Sequence, residues 1–226
     1  MNEFIKFPST KHILLPKEEC MRADKVLTTE ELLELLNHEV IIEEKVDGAN
    51  LGISFDHNGE LHLQNRGNWI LHPYLGQWKN LDQWMSKKQN RLFDVLLDQY
   101  ILFGEWCYAV HSIYYDKLPD YFIGFDIYDK ERYEFLSVKR RNVLLESMDI
   151  STIHQLARGR YHLEELKSFL GVSYYGNDWC EGIYIRWDED GWLKRRAKLV
   201  RYEFQQRIEE HWQKNGLKEN RLLRAF

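Results

Sequence analysis

The sequence predicts an α+β domain that is built mainly from antiparallel strands, with helices flanking the sheet. Short alternating apolar runs are joined by hairpin signals at Asn58-Gly59 and at 188–191, and helical patterns lie between the strands in an irregular order. A parallel sheet would instead show strands and helices in regular alternation. With 226 residues, of which 44% are hydrophobic and 14% aromatic, the chain can bury a full core. We therefore expect one domain over residues 1–226.

The first predicted elements bring the chain to an unusual lysine. Residues 1–27 are expected to be irregular, and Thr28 with Glu31 forms a capping box ahead of a leucine-rich helix. Residues 40–42 are apolar and predict a buried strand that ends at Lys45. A lysine between two predicted strands, followed at once by a turn, is poorly placed to be a solvated surface charge. Lys45 is therefore the first candidate for a functional residue.

Three consecutive strands are expected around this lysine. Asp47-Gly48 is a turn signal, and the run from 50 to 55 alternates as one face of an antiparallel strand does. The hairpin signal at 58–59 leads into a third strand that carries Arg66. We therefore expect a three-stranded meander with Lys45 near its rim.

Helices and further strands follow this meander. Residues 74–100 have a helical pattern, and the polar stretch 86–90 is expected to separate two helices. The later elements are predicted, in chain order, as strands over 101–106 and 121–128, a helix over 138–148 capped by Ser137, a helix over 163–170 ended by Gly171, strands over 181–187 and 192–200, and an amphipathic helix from about Tyr202. These helices are most simply a cover for the sheet.

Charge and hydropathy limit the class of protein. A net charge of −5 argues against affinity for nucleic acid over the whole surface. Five basic residues within eight positions nevertheless predict a local site for a polyanion, and they are Lys194, Arg195, Arg196, Lys198 and Arg201. A run of about 18 apolar residues and a signal-peptide pattern are both missing. We therefore expect a cytoplasmic protein that does not enter a membrane.

The cysteines predict free thiols. Cys20, Cys107 and Cys180 are odd in number and far apart in the sequence. This spacing supports neither a disulfide framework nor a Cys-x-x-Cys metal site, so thiols in strands are the simpler interpretation.

One glutamate occupies a position that calls for a partner. Glu105 shares a predicted strand face with Ile101 and Phe103, just as Ile123 and Ile127 share a predicted face with Phe125. A buried carboxylate costs several kcal/mol unless it is paired or bound to a ligand. Glu105 is therefore a candidate for a binding or ion-pair role.

Each candidate also has a simpler structural interpretation. Lys45 could pair with Glu43 or Glu44, and Glu105 and Glu181 could form buried salt bridges with Arg66 and Lys198. Asp47 could belong to an ordinary Asp-Gly turn, Phe125 could be core, and the basic run 194–201 could be a solvated strand face. Taken one at a time, each candidate is therefore weak evidence for a function.

The candidates become informative as a set. The sequence carries Lys-x-Asp-Gly at 45, an arginine at 66, Gly-Glu at 104, Phe-Asp at 125, Glu-Gly at 181 and Arg-x-Lys at 196. In this order the motifs resemble those of the covalent nucleotidyltransferase superfamily of ATP-dependent ligases and capping enzymes. The segments 44–50 and 64–67, read as Glu-Lys-Val-Asp-Gly-Ala-Asn and Gln-Asn-Arg-Gly, resemble the RNA ligase domain family more closely. The resemblance extends from about Phe7 to Phe204.

The resemblance implies an antiparallel-sheet nucleotidyltransferase domain and an ATP-dependent RNA ligase activity. It implies that Lys45 takes AMP from ATP as a covalent intermediate, that Asp47 and Glu181 serve a Mg²⁺ or Mn²⁺ ion, and that Lys198 acts at the reacting phosphate. The implied nucleotide contacts are Glu43, Glu44, Lys45, Arg66, Glu105 at the ribose, Phe125 against adenine, and Arg196 with Lys198 at the triphosphate. Arg196 departs from the lysine that is frequent at this position, and it exchanges a point charge for a planar fork.

The resemblance also frames the partners and the alternatives. RNA ends are the implied substrate, with an end-healing kinase or phosphatase as a possible partner. The short stretch after Lys198, with residues 202–226 as a helical tail, leads us to expect no C-terminal oligonucleotide-binding barrel. Tyr108, Trp69 and residues 139–141 are further candidates for RNA contact, with packing as the alternative. The other functions in view are an adenylyltransferase with a non-nucleic-acid target, a minimal DNA ligase, and a binding module without chemistry.

Overall fold

The computed structural model describes residues 4–14, 25–201, 204 and 217–223. Its α-helices are α1 (Thr29–Leu36), α2 (Leu81–Leu96), α3 (Val138–Ser147) and α4 (Leu163–Leu166), with short 3₁₀ helices at Gly76–Trp78 and Lys167–Phe169. Its strands are β1 (Val40–Lys45), β2 (Ala49–Phe55), β3 (Leu61–Gln64), β4 (Tyr100–Trp106), β5 (Phe122–Asp129), β6 (Glu134–Phe135), β7 (Ser151–Thr152), β8 (Gln155–Gly159), β9 (Gly182–Glu189) and β10 (Trp192–Val200).

Two mainly antiparallel sheets make up the fold, which confirms the predicted class. The first sheet has the order β10-β9-β1-β8, and the second has the order β3-β2-β4-β5-β6, with β7 added parallel to β5. The faces that the sheets turn toward each other hold a cluster that includes Phe103, Ile123 and Phe125, together with Val46 at the crossing point.

Helices cover the outer face of each sheet, as the pattern of apolar residues predicted. Leu35 of α1 and Leu166 of α4 pack with the four-stranded sheet, whereas α2 and α3 pack on the other face of the second sheet. The capping box of α1 is formed by Thr28 and Glu31, and Ser137 caps α3. Among the described residues, no helix is both long enough and apolar enough to cross a membrane.

The predicted meander is wrong, because β1 and β2 belong to different sheets. β1 is hydrogen-bonded between β8 and β9, and β2 lies between β3 and β4. Both strands are buried at every position, and a two-sided apolar run does not reveal which strands flank it. The segment after Lys45 therefore crosses from one sheet to the other, and Arg66 lies in the loop after β3.

Helix boundaries also differ from the prediction in two places. Residues 86–90 continue α2 instead of separating two helices, because their polar side chains lie mostly on its solvent side and Lys88 pairs with Asp149. The predicted helix over 163–170 is α4 followed by a 3₁₀ turn. The helix predicted from Tyr202 lies outside the described residues, except for Phe204.

A β-bulge in β5 changes which side chains face the cleft. Phe103 pairs with Asp126 and Gly104 pairs with Gly124, so Phe125 is the extra residue. A bulge of this kind shifts the alternation of faces by one residue. Phe125 and Asp126 both line the space between the sheets, whereas Ile127 packs in the core on the helix side. The predicted shared face of Phe125 and Ile127 is therefore wrong.

Candidate active site

The candidate site is a cleft where the chain crosses between the two sheets. Lys45 is the last residue of β1, and Gly48 lies just before β2. A Cβ atom on Gly48 would stand 2.8 Å from the carbonyl oxygen of Trp106, so only glycine lets β2 approach β4 here. The cleft has a volume of about 540 Å³, and its wall includes Lys45, Arg66, Glu105 and Glu181.

Lys45 forms an ion pair with Glu181 in this cleft. Its Nζ lies 2.5 Å from Oε2 of Glu181, and both residues are buried. Burial alone would lower the pKa of Lys45, but the charges of Glu181, Tyr184 and Glu105 outweigh it and raise that pKa above its usual value. Lys45 is therefore protonated in this arrangement beside Glu181. The predicted alternative, in which Lys45 pairs with Glu43 or Glu44, is wrong.

Glu181 reaches Lys45 because of the register between β1 and β9. Lys45 pairs with Gly182, the residue after Glu181. A Cβ atom on Gly182 would stand 2.3 Å from the carbonyl oxygen of Leu199, so this position tolerates only glycine. The Glu-Gly motif thus combines a charged group with the close strand contact that positions it.

Glu105 lies on the opposite wall and holds the crossing segment. Its Oε1 accepts a hydrogen bond of 3.2 Å from the backbone N–H of Gly48. Burial raises the pKa of Glu105 to about 7, although Lys45 and Arg66 act in the other direction. In the described chain, its predicted salt bridge with Arg66 is not formed, and Glu181 pairs with Lys45 instead of Lys198.

Asp47 holds the loop on the far side of the cleft. Its Oδ2 accepts hydrogen bonds from the backbone N–H groups of Ser112 (2.7 Å) and Ile113 (3.2 Å), and its own N–H donates to the hydroxyl of Tyr115 (2.9 Å). Asp47 is therefore part of the crossing between sheets and does not belong to a hairpin turn.

Cations gather at one end of the cleft. Lys198 on β10 pairs in register with Tyr184 of β9, and Arg66 lines the cleft from its exposed loop. Burial, together with the positive charges of Lys45 and Arg66, lowers the pKa of Lys198 to about 8. This end of the cleft therefore carries positive charge that an anion would offset.

The predicted nucleoside-binding residues line an inner pocket that continues from Glu105. Glu43, Glu44, Phe125 and Arg196 are all part of its wall. Phe7 packs edge-on against Phe125, with ring centroids 5.3 Å apart, and the remaining space is about 20 Å³. Space for a base beside Phe125 therefore requires Phe7 to shift.

A buried network of charges surrounds this pocket. Arg141 donates to both carboxylate oxygens of Glu43 (2.6 and 3.2 Å) and to the carbonyl oxygen of Phe125 (2.6 Å). Asp126 accepts from Arg186 (2.6 Å) and from Arg196, whose guanidinium also lies over the rings of Phe7 and Phe135. Glu43 and Arg196 thus have structural partners that join the two sheets.

Some roles were misassigned or missed at the level of sequence. Arg141 and Tyr108 are buried, so packing is the correct interpretation for both of these RNA-contact candidates. The buried ion pair of Asp126 and Arg186 was not predicted from the sequence. The available signal was the presence of charged residues on otherwise apolar strands, which indicates buried partners of opposite charge. Glu44 accepts two hydrogen bonds from a loop that is distant in the sequence, one from the hydroxyl of Ser173 (2.5 Å) and one from the backbone N–H of Tyr174 (2.9 Å).

Asn50 gives an independent sign that the cleft accepts a polar ligand. It lines the cleft and is 6% exposed, and its amide nitrogen and oxygen have no hydrogen-bond partner among the described residues. A buried amide without partners costs about 1–3 kcal/mol. The polar groups of a bound ligand would remove that cost.

The oxygen donors of the cleft suit a hard divalent cation. Glu181, Glu105 and Asp47 offer carboxylates, which Mg²⁺ and Mn²⁺ prefer. Within the described ranges, the one set of three ligands within 4.8 Å of one another is Asp56, Glu60 and His62, which lies at the other end of β2. An ion in the cleft would therefore take one or two carboxylates and complete its shell with water or phosphate oxygens, as Mg²⁺ commonly does.

The fold, two mainly antiparallel sheets with a cleft between them, is also found among solved structures. Naegleria gruberi RNA ligase with PPi matches with a TM-score of 0.63 and 17% identity over 92% of this chain and 64% of that chain. A mutant of the same ligase with ATP and Mn matches with a TM-score of 0.59 and 16% identity over 89% of this chain and 62% of that chain. At these identities the likeness establishes the fold alone, and this chain spans less than two thirds of those proteins.

Comparison by sequence identifies the family. The model of the RNA ligase family matches residues 38–200, which is most of the chain and includes the residues from Lys45 to Lys198. The chain belongs to the RNA ligase family. No curated protein matches it significantly in sequence.

Proposed function

We propose that the chain is an ATP-dependent RNA ligase that joins 5′-phosphate and 3′-hydroxyl RNA ends through a lysyl-AMP intermediate. The observation that carries this proposal is the buried Lys45, paired with Glu181 at 2.5 Å in a cleft that Arg66 also lines. Lys198 is near enough for the charges of Lys45 and Arg66 to lower its pKa. Membership in the RNA ligase family supports it.

In the proposed reaction, Nζ of Lys45 attacks the α-phosphorus of ATP. A phosphorus–nitrogen bond forms, the bond to the β-phosphate oxygen breaks, and pyrophosphate leaves with the electron pair. The attacking amine must first lose a proton, which the ion pair with Glu181 opposes. Glu181 therefore has to be engaged by another positive group before Lys45 becomes nucleophilic.

The residues of the cleft suit these requirements. Glu181, with Asp47 at the opposite side, would hold a Mg²⁺ or Mn²⁺ ion, which supplies positive charge that favours the neutral amine and offsets phosphate charge. Glu105 and Phe125 would contact the nucleoside, with Glu43 and Glu44 shaping its pocket and Phe7 moving aside. Arg66, Lys198 and Arg196 would offset phosphate charge, and Arg196 would have to share its charge with Asp126.

The later steps concern RNA. A 5′-phosphate oxygen of RNA takes AMP from Lys45, and a 3′-hydroxyl then attacks that phosphate and expels AMP. We place this chemistry in the cytoplasm, on RNA ends that a separate kinase or phosphatase can prepare. In the described part of the chain, Cys107 and Cys180 are buried free thiols, which fit a reducing compartment.

The test is covalent labelling. The protein is incubated with α-labelled ATP and Mg²⁺ or Mn²⁺ and separated by denaturing electrophoresis, with Lys45→Ala as the inactive variant and the exposed Lys139→Ala as a matched control. Wild type and Lys139→Ala are expected to carry label, and Lys45→Ala to carry none. Absence of label on the wild type would refute the proposal.

Sealing assays then separate the ligase from its alternatives. Labelled protein is offered single-stranded RNA, nicked RNA, and nicks with DNA on either side. Sealing of RNA ends is expected. A protein that takes label but seals no strand would be an adenylyltransferase with another target, and sealing confined to DNA would identify a minimal DNA ligase.

A further inference from the structure

His12 lies on a short segment that extends the four-stranded sheet beyond β10. The backbone N–H of Ile13 donates to the carbonyl oxygen of Lys198 (2.8 Å), and the N–H of Lys198 donates to the carbonyl oxygen of Lys11 (3.0 Å). His12 forms parallel bridges with Lys198 on one side and with Val26 on the other. Its backbone is therefore fixed between two neighbouring segments.

The imidazole of His12 faces the same side of the sheet as Lys198. Residues paired directly across neighbouring strands send their side chains to the same face. Lys198 pairs in register with Tyr184 and lies two residues after Arg196 on β10, and both of these residues line the space between the sheets, so the side chain of Lys198 faces the same space. In agreement, burial lowers the pKa of His12 to about 4, and the nearby charges of Lys198 and Lys45 contribute to this shift.

His12 also has an unused hydrogen-bonding atom at this position. Its Nδ1 is buried and has no hydrogen-bond partner within the described part of the chain. A buried polar atom without a partner costs about 1–3 kcal/mol. Among the described residues, Lys198 and Arg66 have no carboxylate within ion-pair distance. This end of the cleft thus combines an unpaired ring nitrogen with positive charge that is only partly offset.

We propose that His12, beside Lys198, donates a hydrogen bond to the β- or γ-phosphate of ATP, and hence to the pyrophosphate that leaves when Lys45 is adenylylated. The inference rests on the proposed function, which puts the α-phosphate at Lys45. Phosphate oxygens accept hydrogen bonds from an imidazole N–H, and their negative charge offsets the surrounding cations. The N-terminal segment thereby contributes a phosphate-binding residue that lies outside the six motifs.

Two variants of His12 and one neighbour test this role. His12→Ala removes the ring, His12→Asn keeps an amide nitrogen close to the position of Nδ1, and Lys11→Ala removes a neighbouring charge whose Nζ pairs with Glu31 at 2.8 Å. Thermal unfolding establishes that each variant is folded. We expect kcat/KM for ATP in the labelling of Lys45 to fall about tenfold in His12→Ala, as the loss of one hydrogen bond to a charged group implies. His12→Asn recovers most of this loss, and Lys11→Ala behaves as wild type.

A second pair of measurements separates ATP phosphates from RNA phosphates. Pre-adenylylated RNA is sealed without ATP, so its sealing rate should be unchanged in His12→Ala. In calorimetric titrations with Mg²⁺, inorganic pyrophosphate should bind His12→Ala about tenfold more weakly than wild type, whereas AMP should bind both equally.

Three outcomes would overturn the inference. Equal pyrophosphate binding by wild type and His12→Ala would remove its basis, as would equal labelling kinetics. A loss confined to sealing of pre-adenylylated RNA would assign His12 to RNA phosphate. If the wild type takes no label at all, the proposed function fails, whereas the pyrophosphate titration still decides the role of His12.

Discussion

Replacement of Arg141 by methionine should destabilise the fold strongly, although α3 is far from Lys45 in the sequence. Arg141 is 1% exposed, and its guanidinium donates to both oxygens of Glu43 and to the carbonyl oxygen of Phe125. Removing one partner of a buried ion pair leaves an uncompensated charge and costs about 3–5 kcal/mol. Arg186 lies 3.9 Å from Glu43 and can compensate in part. We therefore expect about 3 kcal/mol, near the lower end of that range.

The assay is equilibrium unfolding in urea together with thermal unfolding. For a domain of this size, a loss of about 3 kcal/mol corresponds to a Tm roughly 6–12 °C lower. The exposed Lys139→Met, on the same helix, should stay within about 0.5 kcal/mol of wild type. The double variant Glu43→Gln/Arg141→Met should lose clearly less than the sum of the two single variants, because both charges are gone. Additive losses, or a loss below about 1 kcal/mol in Arg141→Met, would show that the pair does not act as described.

Two further predictions concern a close contact and a titration. Gly182→Ala places a Cβ atom 2.3 Å from the carbonyl oxygen of Leu199 and should lower the free energy of unfolding by about 1–3 kcal/mol, as measured by thermal unfolding. Gly171→Ala, which has open space around it, should cost much less. Equal effects of the two substitutions would refute the steric argument. The folded-state pKa of His12, about 4, lies below its unfolded value of about 6.5, so its contribution to stability is complete above pH 6.5 and is lost as the pH falls toward 4. The difference in stability between wild type and His12→Asn should therefore vary with pH in this window, and a difference that stays constant from pH 7 to pH 4 would contradict the buried position of the ring.

Local sequence signals were sufficient for most elements but not for their partners. The capping box at Thr28, the serine cap of α3 and the hairpin at 58–59 depend on residues a few positions apart, so the sequence states them directly. The pairing of β1 with β8 and β9 depends on contacts across more than 100 residues. Periodicity within β1 carries no information about them, which explains why the predicted meander was wrong.

The same distinction applies to the site. Five of the predicted site residues line one cleft, namely Lys45, Asp47, Arg66, Glu105 and Glu181. The ion-pair partner of Lys45 was not predictable from the sequence. Glu43 and Glu44 are its neighbours in the chain, whereas Glu181 belongs to a distant motif, and nothing in the sequence decides among the three. The bulge at Phe125 was also hidden, since an extra residue in β5 leaves no mark on its alternating pattern.

The buried charges also have a consequence for the reaction itself. Glu43 lies two residues before Lys45 on β1, and its partner Arg141 is bonded to the backbone of β5 at Phe125. The pair therefore fixes the distance between the sheet that carries Lys45 and the sheet that carries Glu105 and Phe125. Displacement of reacting groups by about 1 Å can lower a rate by as much as two orders of magnitude.

In the Arg141→Met variant, Lys45 should accordingly take label more slowly than the loss of folded protein alone would explain. At a low temperature where circular dichroism shows the variant to be fully folded, we expect a labelling rate about tenfold below wild type, with Lys139→Met unchanged. A wild-type rate in the folded variant would mean that the network stabilises the protein without positioning Lys45. A reduced rate would connect the two halves of the structure, because the ion pairs that join the sheets would then also determine where the lysine meets its phosphate.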